Sequence, residues 1–200
     1  AITNGTPVWI VEGEKDADNA IAAGLTATTN AQGAGSFPEE LAALFAGATV
    51  NVVVDRDTAG YKRGVTMHRL LKGIASSVTL LRPAVDEDKS DLSDHLAAGL
   101  GIDELEEISA RQSALLAAVG EAHRAIKSID VCRREIQAHL ELIPSAGPAA
   151  PQHREAAETW ATESDIRFRR MVDTLTRARI VAGDAKLGER CAQIVARLSR

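Results

Sequence analysis

The sequence is poor in aromatic residues, which make up 3% of its 200 residues, and it contains only two cysteines. Its core must therefore consist mostly of Ala, Val, Leu and Ile, and a hydrophobic content of 45% is sufficient for one. Cys132 and Cys191 match no metal-binding spacing, so we expect reduced cysteines in a cytoplasmic protein. No apolar run approaches the length of about 18 residues that a transmembrane helix needs, and no signal peptide pattern is present, so no membrane partner is expected.

Positive charge is scarce in the first part of the chain. Residues 1–109 carry 8 Lys and Arg against 17 Asp and Glu, a net charge of −9, whereas residues 110–200 carry 15 against 11, a net charge of +4. An acidic half that binds metal and a basic half that attracts phosphate groups would suit a nucleic-acid enzyme. Two solvated surfaces of different charge explain the same numbers equally well.

Apolar, β-branched segments alternate with helix-like segments in residues 1–109. This alternation is typical of βαβ units and predicts an α/β domain with a parallel, four-stranded, Rossmann-like sheet flanked by helices. The predicted strands are residues 8–12, 25–29, 49–55 and 77–81.

Residues 110–200 show no strand pattern, and we predict a separate, all-helical second domain. Apolar residues from Leu115 to Leu140 keep a 4-3 spacing, which predicts a coiled-coil-like seam on one long helix. A segment rich in Pro and Gly, 144–151, separates it from a second long helix at 152–181. The residues that share one face of this helix are Ala157, Ala161, Phe168, Met171, Leu175 and Ala178. The two helices are expected to form an antiparallel hairpin, and helical self-association is an open alternative. A shorter helix is predicted at residues 187–198.

Arginines cluster on the second long helix, at Arg167, Arg169, Arg170, Arg177 and Arg179. Such a cluster could follow a phosphate backbone. Acids at Glu163, Asp165 and Asp173 interleave with the arginines, however, and this pattern favours an ordinary salt-bridged helix surface.

Acidic residues directly follow two of the predicted strands. Glu12 ends the first strand, and Asp55 and Asp57 come after the apolar run at residues 50–54. The carboxyl ends of parallel strands meet at one edge of the sheet, so these three side chains are expected to converge there. Oxygen ligands without nearby Cys or His favour Mg²⁺ or Mn²⁺ over zinc. The alternative is that all three are solvated acids at strand ends.

The segments around these acids resemble the Toprim domain, which bacterial-type primases, topoisomerases and some nucleases share. The main matches are Val11-Glu12-Gly13-Glu14-Lys15-Asp16-Ala17 and Asp55-Arg56-Asp57-Thr58-Ala59-Gly60. Ala27-Thr28-Thr29-Asn30 and Asp91-Leu92-Ser93-Asp94-His95-Leu96-Ala97-Ala98-Gly99 further resemble the Toprim domains of phage and plasmid primases or primase-helicases. The resemblance covers about residues 6–108.

The resemblance implies a role for each of the three main acids. Asp55 and Asp57 would hold Mg²⁺ or Mn²⁺, while Glu12 would bind metal or act as general acid and base. Carboxylates suit this chemistry, because nucleotidyl transfer builds negative charge on phosphate oxygens that a metal ion offsets. A glutamate beside the ion can move the proton of the reacting hydroxyl.

Weaker candidates lie near these three acids. The resemblance places Lys15 and Asp16 beside the site, where Lys15 could contact phosphate, and a surface ion pair is the alternative. Asp91 and Asp94 would be outer acidic ligands or helix N-caps, and we favour the cap for at least one of them. Asn30 is a candidate nucleotide contact.

Two polar neighbours of these motifs are not expected to bind metal. Arg56 is predicted to be a surface residue that faces away from the two aspartates. His95 is expected to pack or to cap a helix.

The resemblance implies a Mg²⁺-dependent nucleotidyltransferase that makes RNA primers from NTPs on single-stranded DNA, in partnership with a helicase. No zinc-binding cysteine cluster, basic template-holding subdomain or Walker-type motor is found in the sequence, so the isolated chain is expected to prime poorly. The alternatives are a Toprim-type nuclease and a non-catalytic module for nucleic-acid binding or assembly. A topoisomerase is disfavoured because the sole tyrosine, Tyr61, follows the metal motif and is better placed to pack.

Overall fold

The computed structural model describes residues 5–29 and 37–182 of the chain. The chain divides into two compact units, Ala1–Ala117 and Ala118–Arg200. The small-residue loop that contains Asn30 and the helix predicted at residues 187–198 lie outside the described residues.

The first unit alternates strands and helices, and the described part of the second contains two long helices. The elements in chain order are β1 (Val8–Ile10), α1 (Glu14–Ala22), β2 (Thr26–Thr28), α2 (Glu39–Ala42), β3 (Thr49–Val53), α3 (Thr58–Leu71), β4 (Ser77–Arg82), α4 (Leu92–Ala97), β5 (Glu106–Ile108), α5 (Ala110–Leu142) and α6 (Ala150–Ala182). Short 3-10 turns lie at Ala43–Phe45, Ile102–Glu104, Ile143–Ser145 and Gly147–Ala149. Within the described part of the chain, none of the helices combines the length and the apolar character that crossing a bilayer requires.

The sheet of the first unit has the order β2-β1-β3-β4-β5. The first four strands in this order pair in parallel, and β5 pairs antiparallel with β4. The predicted α/β class with a Rossmann-like parallel sheet is confirmed, but the sheet has five strands instead of four. The fifth strand escaped prediction because two of its three residues, Glu106 and Glu107, are of a type that is uncommon in strands. It forms because Ile108 pairs with Leu80 and is buried.

The central strands are covered on both faces, which explains their continuous apolar sequence. Alternate residues of a strand point to opposite faces of the sheet. Accordingly, Ile10 and Val52 pack in one core cluster with Met67, while Trp9 and Val53 pack in a second cluster on the other face. The register that pairs Ile10 with Val52 brings the carboxyl ends of β1 and β3 side by side.

The first turns of α5 belong to the first unit. Ser113 is buried, and its hydroxyl donates a hydrogen bond of 2.7 Å to the carbonyl oxygen of Tyr61. Ala117 lies in the same core cluster as Ile108. The boundary between the two units therefore falls within α5.

In the described part of the second unit, α5 and α6 form an antiparallel hairpin. Nδ1 of His139 lies 3.1 Å from Nδ1 of His153 near the turn, and the guanidinium of Arg167 donates a hydrogen bond to Ser128 farther along. Its buried residues are Ala118, Ala122, Ile129, Cys132, Ala157, Met171 and Leu175. The seam predicted on α5 is thus covered by the chain's own second helix.

Two expectations about the hairpin faces are wrong. Leu140, predicted on the seam of α5, is 48% exposed. Ala161, predicted on the same face of α6 as Ala157, is exposed, whereas Trp160, Glu163 and Ser164 are half-buried.

Candidate active site

Glu12 and Asp55 meet at the carboxyl edge of the sheet. The backbone N–H of Val11 donates to the carbonyl of Thr28 at 3.1 Å, and that of Val54 donates to Leu81 at 2.8 Å, so sheet pairing continues up to the residue before each acid. The two carboxyl groups then lie close enough to share a hydrogen bond. The backbone of Glu12 is held in turn by the hydroxyl of Thr29, which donates to its carbonyl oxygen at 2.8 Å.

Asp55 and Asp57 occupy a tight turn between β3 and α3. Asp57 is the N-cap of α3, and its Oδ1 accepts a hydrogen bond of 2.8 Å from the backbone N–H of Gly60. Gly60 lies against the Asp55 backbone so closely that a Cβ atom there would be 2.5 Å from the Asp55 carbonyl oxygen. A role for Asp57 as a metal ligand remains a prediction, and its observed contact is the helix cap.

We expect Gly60→Ala to lower the free energy of unfolding by about 1–3 kcal/mol, because the methyl group overlaps the Asp55 backbone and forces the turn to move. Gly13→Ala is the matched control, since a Cβ at Gly13 meets nothing within 4 Å. This control should lose less than about 1 kcal/mol, through its weaker N-cap alone. Urea unfolding at neutral pH measures both values, and equal losses would show that the close approach at Gly60 is not the cause.

Negative charge is concentrated around Asp55. The pKa of Asp55 is raised to about 8, mainly by burial. The charges of Glu12 and Asp16, a hydrogen bond with Glu12 and the charge of Asp91 raise it further. Asp55 is therefore protonated at neutral pH. A cation placed between these groups would reverse the effect, because it favours the charged form of each carboxyl group.

Arg63 is the buried counterion of this acidic site, and no sequence motif predicted this role. It is 5% exposed, and its Nη2 donates a hydrogen bond of 2.6 Å to the carbonyl oxygen of Val11. Burial lowers the pKa of Arg63, while the charges of Glu12, Asp55 and Asp16 act in the opposite direction, and a guanidinium stays protonated under these conditions. The one available signal was its position, since it stands on the face of α3 that Met67 and other core residues share.

Two polar atoms at the centre of the site are left without hydrogen bonds. They are Oε2 of Glu12 and Nη1 of Arg63, which are both buried and have no partner among the described residues. Buried polar atoms without partners are uncommon in folded proteins and mark places where water, an ion or a substrate can bind.

Asp16 is buried, so the alternative that Lys15 and Asp16 form a surface ion pair is wrong for Asp16. Its Oδ1 accepts hydrogen bonds from both the hydroxyl and the backbone N–H of Ser93, the latter at 3.0 Å. Burial raises the pKa of Asp16, and the Ser93 hydrogen bonds only partly oppose this. Asn19 donates to the same hydroxyl at 2.7 Å, so these contacts fix the start of α4 against α1. No feature of the sequence identified Ser93.

Lys15, Asp91 and Asp94 surround the site from its exposed side. Nζ of Lys15 lies 3.7 Å from Asp91 Oδ2 as a surface ion pair, an interaction of small energy. The cap favoured for at least one of these aspartates is confirmed. Asp91 is the N-cap of α4, and its Oδ1 accepts from the Asp94 N–H at 2.7 Å, while Asp94 completes a capping box by accepting from the Asp91 N–H through its Oδ2 at 3.2 Å. Asp91 also contributes to the negative field at Asp55.

Arg56 is not a surface residue, which corrects its prediction. Its side chain is 12% exposed and contacts Asp86, Glu106 and the carbonyl oxygen of Pro83, the last at 3.0 Å. The reason is that the loop after β4 pairs with its backbone: the Arg56 N–H donates to the Ser90 carbonyl at 3.0 Å.

The packed role predicted for His95 is confirmed. The ring is fully buried, and its Nδ1 accepts a hydrogen bond of 3.2 Å from the Ala84 N–H. Nε2 must then carry the proton, which it donates to the Gly101 carbonyl oxygen at 2.8 Å. Both ring nitrogens are occupied, so neither is free to bind a metal.

The donor set suits a magnesium ion that is held by few protein ligands. Within residues 5–29 and 37–182, no three His, Cys, Asp or Glu side chains are arranged as a complete ligand group. Mg²⁺ in proteins commonly takes one or two carboxylates and completes its shell with water and substrate phosphates. The Glu12–Asp55 pair, with its unpartnered Oε2, meets that requirement. Asn30 lies outside the described residues.

No protein-family model matches the sequence, and no curated protein sequence matches it. Support for a function therefore comes from the geometry of this site and from the resemblance of its segments.

Proposed function

We propose that residues 1–109 form a Toprim-type catalytic domain of a primase or primase-helicase-like replication protein. It would join nucleotides into RNA primers on single-stranded DNA, with Mg²⁺ or Mn²⁺ as cofactor. One observation carries the proposal: Glu12 and Asp55, from neighbouring parallel strands, bring two carboxyl groups together, and burial together with this crowding raises the pKa of Asp55. Perturbed acids at the carboxyl edge of a parallel sheet are typical of catalytic sites.

Glu12 and Asp55 would hold the ion, with Asp57 as a further donor. When bound, a divalent ion would offset the negative charge that develops on the phosphate oxygens during transfer. Glu12, whose Oε2 is buried and has no hydrogen-bond partner among the described residues, would either hold the ion or accept the proton of the attacking ribose hydroxyl. Arg63 would keep the two carboxyl groups together in the absence of the ion, and Lys15, which is mostly exposed, could contact an incoming phosphate.

The test is to incubate the chain with single-stranded DNA, labelled NTPs and Mg²⁺ or Mn²⁺. The double variant Asp55→Asn/Asp57→Asn should lose product formation by a factor of at least about 100, because it removes carboxylates that hold the ion. Asp18→Asn/Asp88→Asn is the matched control, since it makes the same charge change at two exposed acids outside the site. This control should keep its activity.

Each outcome of this assay has a distinct meaning. Oligoribonucleotides that disappear only in the site variant would support a primase-type activity. DNA shortening that disappears only in the site variant would instead favour the nuclease alternative, in which water replaces the ribose hydroxyl. Absence of both products from the unmodified chain would contradict a self-sufficient catalytic domain.

A further inference from the structure

The helical unit Ala118–Arg200 contains a cleft between α5 and α6 with a volume of about 380 Å³. Its polar lining is mostly basic and hydroxyl-bearing and consists of Glu121, Arg124, Ser128, Arg167, Arg170 and Thr174. Its floor includes Ala122 and Met171, which are both buried. Charges above an apolar floor interact with an anion more strongly than the same charges surrounded by water.

The arginines of the cleft differ from those elsewhere on α6. Arg169 and Arg177 form ion pairs one turn away, with Asp165 at 2.8 Å and with Asp173 at 2.7 Å. In contrast, Arg124 and Arg170 have no ion pair or hydrogen bond within the part of the chain that the structure describes. The interleaved acids therefore satisfy the outer arginines and leave those of the cleft available.

Arg167 is held in place at the centre of the cleft. Its Nε donates to Glu163 at 2.8 Å, and its Nη1 donates to the hydroxyl of Ser128 across the hairpin. These contacts fix the plane of the guanidinium before any ligand arrives and leave some of its five N–H groups without a partner. Glu121, the one acid of the lining, already has an interaction of its own.

We propose that this cleft binds phosphate groups of a single-stranded nucleic acid. Guanidinium groups match the geometry of phosphate oxygens, and three of them converge on a space that is large enough for a phosphate with its sugar. The expectation of a purely salt-bridged surface holds for the outer arginines only. This inference goes beyond the proposed function, because it assigns binding of the nucleic-acid strand to the helical unit. The two proposals share only the class of ligand.

The test is fluorescence anisotropy with a labelled single-stranded DNA of about 20 nucleotides and mixed sequence. All proteins carry Asp55→Asn and are measured in EDTA, so that no turnover interferes. Arg124→Gln/Arg170→Gln should bind at least about 10-fold more weakly and show a salt dependence whose log–log slope is smaller by about 1.4. Arg169→Gln/Arg177→Gln makes the same charge change at the ion-paired positions and should lose less than about 3-fold. Circular dichroism checks that both variants remain helical.

The outcomes separate this inference from a general charge effect. Equal losses in the two double variants would overturn it, as would full affinity in the cleft variant. Arg124→Lys/Arg170→Lys should restore part of the affinity, because the charge returns without the planar fork. Strand binding through the cleft in a chain that makes no product would support this inference and contradict the proposed function. Product formation by the chain, together with full strand affinity in Arg124→Gln/Arg170→Gln, would support the proposed function and contradict this inference.

Discussion

Arg63→Met is expected to lower the free energy of unfolding of the first unit by about 3–5 kcal/mol, because removing one partner of a buried ionic cluster leaves the others uncompensated. The guanidinium is buried within the field of the Glu12, Asp55 and Asp16 charges, and it donates to the Val11 carbonyl oxygen at 2.6 Å. Methionine fills a similar volume but offers neither charge nor donors. The loss should therefore arise from electrostatics and hydrogen bonding, with little contribution from packing.

Two further variants test that cause. Arg69→Met makes the same chemical change at an exposed position of the same helix and should alter the free energy of unfolding by less than about 0.5 kcal/mol. Glu12→Gln/Arg63→Met removes the carboxylate together with its counterion and should recover part of the stability that Arg63→Met loses. Urea unfolding at neutral pH provides these comparisons. A double variant as unstable as Arg63→Met would mean that the loss comes from the hydrogen bond to the Val11 carbonyl oxygen and not from the charge of Glu12.

Asp55→Asn is expected to make the protein more stable than the unmodified chain, and the gain should grow with pH. The pKa of Asp55 is about 8 in the folded protein, against an ordinary value of 3.8 for an aspartate. Between these values the folded state keeps a proton that the unfolded state has lost, so the stability contributed by this group is present at low pH and is lost as pH rises towards about 8. Asparagine carries no such proton. We expect a gain of about 1–3 kcal/mol at about pH 9 and a much smaller gain at about pH 5.

Thermal unfolding in EDTA at about pH 5, 7 and 9 measures this gain. Asp57→Asn is the matched control, because it changes an acid of the same turn and asparagine caps a helix as well as aspartate does. The increase of the gain with pH should be clearly larger for Asp55→Asn than for Asp57→Asn. A gain that is independent of pH would contradict the raised pKa. A variant that is both inactive and more stable would fit a site whose function costs stability.

The parts of the fold that could be predicted are those in which local pattern and burial agree. β1 and β3 are buried on both faces, so their apolar runs identified them and placed Glu12 and Asp55 at the same edge of the sheet. β5 could not be found in this way, because its pairing with β4 decides its conformation and its composition does not.

Only the acidic residues of the site could be predicted from the sequence. Arg63 contacts Val11 and Ser93 contacts Asp16, each across more than 50 residues of sequence, and no sequence motif predicts such contacts. The burial of Arg56 could not be predicted for the same reason, because the loop that covers it is formed by residues 83–90. The acids were recognised because strand ends have a defined place in a parallel sheet, whereas their partners depend on how the helices and loops pack.

The short strand β5 affects the tendency of the protein to aggregate through the edges of its sheet. A sheet that ends in a long, apolar, parallel strand exposes unpaired backbone groups on which another chain can add a strand. Here the terminal strand has three residues, two of which are glutamates, and Glu106 is held by Arg82 at 2.6 Å. At the opposite edge, β2 is also only three residues long. Both borders of the sheet are therefore poor templates for intermolecular strand addition, so the apolar interior can be assembled with little risk of edge-to-edge aggregation.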